Sequence, residues 1–470
     1  MSIAYRMHTE SVQKGVYMAT RRMKIAIGIL CFVFMSTMVC FAVERVQEFE
    51  LPNGLKVFMI EDHKAPLATF QIWYRVGSID EPAGKTGISH LLEHMMFKGT
   101  PKYGSKAFSN IIQRNGGSDN AFTTKDYTMY FQTIASDRIG ISIELEADRM
   151  RNLLLDPQET ISERAVVMEE RRMRYDNDPQ NLLFEDLTAI AFKAHPYRNP
   201  VIGWMSDIER IDHEDLAVYY HEHYAPNNAF IFIAGDINSQ KVMEQISAAF
   251  GPIAASSKKS AKTITEEPPQ NGQRRLILKK EAELPYIIIT YPVPNLPHDD
   301  SYALEVLAGI LSGGQSSRLY RSLVYDQRVA IEASADYSGL HRFPFLFVVD
   351  AVAAPGKDSS AVEGALFAEI ERIKRERPSL REVEKVKNRI ESAFIFAQDS
   401  NYSKALYRGM FEVVGSWRLL DHYLDGIRKV TPEMVQQAAQ KYLLIDRSSV
   451  GILVPTKQTP ERVQQEKLHK

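Results

Sequence analysis

Residues 87–100 read GISHLLEHMMFKGT, and the reading of this stretch decides the rest. Helical periodicity sets in near Thr86 and continues through it. His90 and His94 are four apart, so on a helix they project from one face about a turn apart and can share one small cation. Glu93 stands three residues after the first histidine and leans over the same site. A catalytic zinc needs a third protein ligand, an open position and a base that takes a proton from water. Glu93 cannot easily serve as both ligand and base, so a second carboxylate must come from elsewhere.

The helix that begins at Asp156-Pro157 offers one, with Asp as N-cap and Pro at the first helical position. It runs through SERAVVMEERRMRYDN and ends near Asp178-Pro179. Glu163 and Glu170 are seven apart, two turns, hence nearly on one face. Glu169 points about 100° away from its neighbour and is less well placed. Two imidazoles and a carboxylate around zinc bring water's pKa toward roughly 7 and polarise a carbonyl, which suits hydrolysis of an amide bond. The motif alone is weak, because H-x-x-E-H arises by chance in a few per cent of chains this long, on the order of one in thirty.

Around it, VQEFELPNGLKVFMIED (46–62) alternates apolar and polar positions about Asn53-Gly54, a hairpin pattern. LATFQIWYRVGS (67–78) is a strand, and SKAFSNIIQRNGG (105–117) a short helix closed by Asn115-Gly116-Gly117. SDNAFTTKDYTMYFQTIA (118–135) returns to strand, and NNAFIFIAGD (227–236) is a buried one. The polar, Pro-bearing segment 251–273 reads as a linker between halves of roughly 200 residues. Their ends look alike. Ile208-x-x-Ile211-Asp212 precedes a helix and a strand, and Ile427-x-x-Val430-Thr431 does so 219 positions later. A duplicated α+β domain is expected, mixing strand meanders with long helices.

HLLEHMMFKGT, NGGSDNAFTTKDYTMY, ERAVVMEE, HPYRNPVIG and YAPNNAFIFIAGD, in that order, resemble the pitrilysin/insulinase zinc peptidases, whose inverzincin signature is H-x-x-E-H. The branch it is similar to contains mitochondrial processing peptidase and its short bacterial relatives. The resemblance runs from about residue 45 to 250 and more thinly to the C-terminus. It implies an α+β fold of two homologous domains, each a mostly antiparallel sheet packed with long helices. Residues 43–250 would form the zinc-binding catalytic domain and 274–470 an inactive-type repeat. By position it implies one Zn2+ per chain on His90, His94 and Glu170, with Glu93 as general base and Glu163 as a supporting carboxylate. Asn120, Ala121 and Phe122 match the edge strand to which the family's substrates add as an extra strand.

The second half departs from the pattern. The family carries an Arg and, seven residues on, a Tyr that help bind substrate, placed after Gly-Gly…Ser-Arg-Leu. Counted from GGQSSRLY (313–320), those positions hold Val324 and Ile331. Arg318 and Tyr325 are seven apart at the wrong offset. Two domains make half of the closed chamber of this family. The resemblance therefore implies a peptidase working on peptides or unfolded segments as a heterodimer with a paralogue that keeps the Arg/Tyr pair, a homodimer being the alternative. A non-catalytic assembly subunit on the same fold is the competing reading, but such chains typically have eroded zinc motifs. A small-molecule amidase fits the long duplicated architecture poorly.

Bulk composition excludes other classes. With 470 residues, 44% hydrophobic and 25% charged, the chain is an ordinary globular one. A formal charge of −2 and no long basic run argue against nucleic acid. Arg21-Arg22-Met23-Lys24 precedes the apolar run IAIGILCFVFMSTMVCFA (25–42), which reads as a signal peptide within residues 1–42, with export to the periplasm expected. A membrane anchor is the alternative, since the run is near the ~20 residues a span needs. Both cysteines, Cys31 and Cys40, lie inside it, so the mature chain has no disulfide and no cysteine nucleophile. His221 and His223 diverge on a helix, and His195 is expected to structure a loop.

Overall fold

The computed structural model describes residues 45–257 and 264–456; the expected signal segment, with Cys31 and Cys40, lies outside them. The first half opens with β1 (Gln47–Glu50) and β2 (Lys56–Glu61), joined through the Asn53-Gly54 turn where Gly54 takes φ +85°. There follow β3 (Leu67–Tyr74), α1 (Ile88–Met95), α2 (Ala107–Arg114), β4 (Ser118–Thr123) and β5 (Thr128–Ala135). Helices α3 (Ile139–Asn152), α4 (Pro157–Arg171), α5 (Pro179–Ala191) and α6 (His213–His223) lead to β6 (Ala229–Gly235). The sheet order is β1-β2-β6-β3-β5-β4, antiparallel except for the β2–β6 pair.

The second half contains β7 (Arg274–Glu281), β8 (Tyr286–Val293), α7 (Asp300–Ser312), β9 (Ala330–Asp336) and β10 (Phe345–Ala353). Helices α8 (Leu380–Ala397), α9 (Asn401–Val414) and α10 (Pro432–Tyr442) precede β11 (Ser449–Thr456). Its order is β7-β11-β8-β10-β9, with only β7–β11 parallel. Without β1, the two sheets follow the same path strand for strand. The two local signals 219 residues apart are equivalent in space as well. Asp212 caps α6 by accepting from the amides of Glu214 and Asp215, and Thr431 caps α10 by accepting from Met434. The fold is α+β, with two homologous domains.

One expectation needs correcting. Residues 118–135 are not one strand but a hairpin, because Thr124 turns the chain. Its amide donates to Tyr127 O at 2.8 Å, and its hydroxyl accepts from the amides of Asp126 and Tyr127, each at 3.1 Å. Thr-Lys-Asp carries no Gly, Pro or Asn, and the β-rich residues on either side hide it. The turn makes β4 the last strand of its sheet.

The central strands of each sheet are covered on both faces. On the inner face of the first, Val57, Phe70, Ile72 and Ile231 pack with Leu91, Leu92 and Met95 of α1 and Met150 of α3. The outer faces are covered by exchange. Helix α9 of the second half lies on β3 and β6, where Ala405 and Val413 meet Phe58, Trp73, Phe230 and Phe232. Helix α5 of the first half lies on β7, β8 and β11, where Leu183 and Leu187 meet Ile288 and Leu453. Burial on both faces explains why AFIFIAG reads as unbroken apolar sequence rather than alternating. Two ion pairs fix α9 in place: Lys404 to Asp62, buried, and Arg75 to Glu412 at 2.7 Å, half-buried. Among the described residues no helix is long and apolar enough to cross a membrane.

Candidate metal centre

The start of α1 is held from three sides. The Glu81 carboxylate accepts the amides of Gly87 at 2.8 Å and Ser89 at 3.0 Å, filling two donors that a helix N-terminus leaves open. Enclosure pushes the Glu81 carboxyl up to about 8, against those bonds. The Ser89 and Tyr219 hydroxyls meet at 2.8 Å. Gly87 (φ +90°) lies against Gly203 (φ +88°) so closely that a Cβ on Gly203 would stand 2.3 Å from Thr86 O. The Thr86 hydroxyl donates to Asp207 at 2.7 Å and accepts from the Trp204 amide at 3.0 Å.

Helix α4 starts as its sequence indicates, with Asp156 accepting from the amides of Gln158 and Glu159. Near its end buried Arg171 donates to Glu185 of α5 at 2.9 and 2.6 Å, and to Gly203 O at 2.8 Å. The loop that abuts α1 therefore also holds α4. The two helices meet through that shared anchor.

Their facing side chains form a compact donor set. Glu170 Oε2 lies 3.8 Å from His90 Nε2 and 3.5 Å from His94 Nε2, and one donor atom from each of the three residues falls within 4.8 Å of the others. Two ligands about 2.1 Å from a tetrahedral zinc stand about 3.4 Å apart, so this spacing suits zinc. On the far side of His94, Nδ1 is 3.1 Å from Glu163 Oε2, which fixes the ring with Nε2 turned to the site. The Glu163 carboxylate also pairs with Lys98. Glu93 stands beside the set rather than in it, and its Oε2 accepts the Thr123 hydroxyl at 2.5 Å.

Electrostatics follow from enclosure. Burial, with His94 adjacent, holds the His90 pKa well below the ordinary imidazole range, leaving the neutral, ligating form. For His94 burial opposes charging, but hydrogen bonds to Glu170 and Glu163 outweigh it and raise the pKa. The hydrogen bond with His94 lowers Glu170. Burial raises the Glu93 carboxyl against the Thr123 bond. Glu169, 60% exposed, pairs with Arg172 on the outside of α4. His223 is buried and His221 exposed, and no second cluster of metal-ligating side chains occurs among the described residues. His195 Nδ1 accepts the Tyr197 amide, a loop contact.

Asn120, Ala121 and Phe122 lie in mid-β4, paired on one side with Phe131, Tyr130 and Met129; among the described residues no strand pairs on the other. In the second half, Val324 is half-buried against the core and Ile331 is 51% exposed on β9, the corresponding outer strand. Arg318 is occupied as a brace, donating to Glu382 at 2.8 and 3.2 Å. Sequence reasoning missed Lys98, Thr123, Glu81 and Arg171. Lys98 lies four residues after His94 and Thr123 immediately follows Asn-Ala-Phe, so both were within reach of spacing arguments. Glu81 and Arg171 carry no local signal.

Residues 56–204 match the family described as Insulinase (Peptidase family M16), and residues 210–390 match the Peptidase M16 inactive domain. The chain is 34% identical over 355 residues to the zinc protease PqqE of Helicobacter pylori, covering 75% of this chain and 80% of that one. It is 24% identical to the uncharacterized zinc protease YmxG of Bacillus subtilis, covering 88% of this chain and 100% of the other. The crystal structure of a protease from Helicobacter pylori superposes with a TM-score of 0.84 at 31% identity, over 88% of this chain and 100% of that chain. On fold, site and sequence, the chain belongs to the insulinase family of peptidases, M16.

Proposed function

We propose that this chain is a zinc endopeptidase that hydrolyses peptides or unfolded segments, with His90, His94 and Glu170 as the ligands of one zinc ion. The observation that carries the reading is the meeting of three donor atoms within 4.8 Å beside a separate, half-enclosed carboxylate, Glu93. Zinc bound there supplies Lewis acidity, polarising a peptide carbonyl and acidifying water. Glu93, its Oε2 held by Thr123, accepts the proton of the attacking water and passes it to the departing amide nitrogen. Glu163 keeps His94 in the ligating tautomer. The free edge of β4 at Asn120, Ala121 and Phe122 takes the substrate as an added strand; main-chain pairing admits varied sequences.

The apolar Val324 and Ile331 motivate the second part of the reading, a partner subunit that completes a closed chamber and supplies the Arg/Tyr pair. The N-terminal apolar run motivates export to the periplasm, with 251–273 linking the two domains. The intact donor set speaks against a purely structural subunit. Glu93→Gln is expected to keep zinc and abolish cleavage, whereas His90→Ala, His94→Ala or Glu170→Ala loses the metal. Zinc content by atomic absorption and cleavage of an unfolded protein substrate read both. A Glu93→Gln protein that still cleaves would remove the mechanism, and full activity of the isolated chain as a homodimer would remove the partner.

A further inference from the structure

A cavity of about 450 Å³ opens beside the metal centre, with Glu93 and His94 among its lining residues. Of the two carboxylates on its lining, Glu163 pairs with Lys98 and Glu93 accepts the Thr123 hydroxyl. One cation on its wall has no such partner. The Lys106 ammonium has no ion pair or hydrogen bond among the described residues, and the side-chain amides of Asn110 and Asn120 line the same cavity. Lys106 also carries backbone strain, with φ +64° at the residue that caps α2. Residues other than glycine rarely take that conformation, and Gly or Asn would take it more easily. Strain of this kind concentrates at binding sites.

We infer that this cavity receives the substrate side chain next to the scissile bond, and that Lys106 makes it select an acidic one, Asp or Glu. The inference rests on the peptidase reading above. The ammonium supplies the charge that separates Glu from Lys, and the Asn110 and Asn120 side-chain NH2 groups can add donors to a bound carboxylate.

The test uses zinc-loaded protein isolated from its own host with any subunit that accompanies it. Peptides differ only in Glu, Gln or Lys at one of the two residues flanking the cleavage site, and kcat/KM is measured for each. At one of those two positions Glu is expected to exceed Lys by about fivefold, the scale of a partly exposed ion pair. The preference shrinks in high salt. Lys106→Asn, which tolerates the left-handed backbone, abolishes the Glu-over-Gln preference, and Lys106→Glu reverses the Glu/Lys order. These ratios cancel any loss of folded enzyme, so a merely structural role would leave them unchanged. Cleavage with the same Glu/Lys ratio in wild type and Lys106→Glu overturns the pocket assignment and leaves the peptidase reading standing. No cleavage of any peptide overturns the peptidase reading and this inference with it.

Discussion

Glu163→Gln removes one negative charge from the carboxylate that faces His94 Nδ1 at 3.1 Å, a side chain only 13% exposed. Glutamine still offers a carbonyl oxygen to the ring N–H, so geometry survives and the charge assistance does not. Charge-assisted hydrogen bonds exceed neutral ones by roughly 1–1.5 kcal/mol, about tenfold in an equilibrium constant. Lys98 adds to the loss in the same direction. It keeps Glu159 at 3.3 Å but gives up its nearer carboxylate, leaving less-compensated positive charge beside a cation site. Zinc is therefore expected to bind about 10–100-fold more weakly, as for other carboxylates behind a ligating histidine. Competition against a metallochromic chelator at fixed pH measures it, with Glu169→Gln as the control because Glu169 is 60% exposed and faces Arg172. If Glu163→Gln binds within twofold of wild type, or Glu169→Gln weakens binding equally, Glu163 does not support His94.

Three further outcomes follow from packing and charge. Gly203→Ala would place a Cβ 2.3 Å from Thr86 O at φ +88°, displacing the start of α1, so zinc occupancy should fall. Gly84→Ala, at φ +81° in open space, should cost only about 1 kcal/mol of strain and keep the metal. Gly409→Ala would set a Cβ 2.3 Å from the Trp73 ring; overpacking of about 1–3 kcal/mol should lower the thermal midpoint while zinc affinity stays, since α9 covers the outer face. Burial raises the Glu305 carboxyl to about 7 from 4.5. The folded chain thus holds a proton that the unfolded chain has released, and stability falls as pH rises from 4.5 through 7. Glu305→Gln removes that loss, so calorimetry should show it gaining on wild type between pH 5 and pH 8, by up to about 3 kcal/mol. A constant difference across that range would contradict the assignment.

What one helix can encode was legible in the sequence. The four-residue step from His90 to His94 and the seven-residue step from Glu163 to Glu170 fix which side chains share a face, and both faces point into the site. The Asp212 and Thr431 caps mark the repeat for the same reason, since a cap bonds its own first turn. Only tertiary structure decided that α1 and α4 meet. Their meeting depends on Gly87 against Gly203 and on Arg171 reaching both Glu185 and the Gly203 carbonyl, contacts of 14 to more than 100 residues' separation. Glu81 reads as a surface acid until the backbone amides of α1 close over it. The turn at Thr124, which puts β4 at the sheet edge, and the exchange of α5 and α9 between sheets were likewise invisible. Shape complementarity and desolvation arise between segments distant in sequence, and neither segment alone records them.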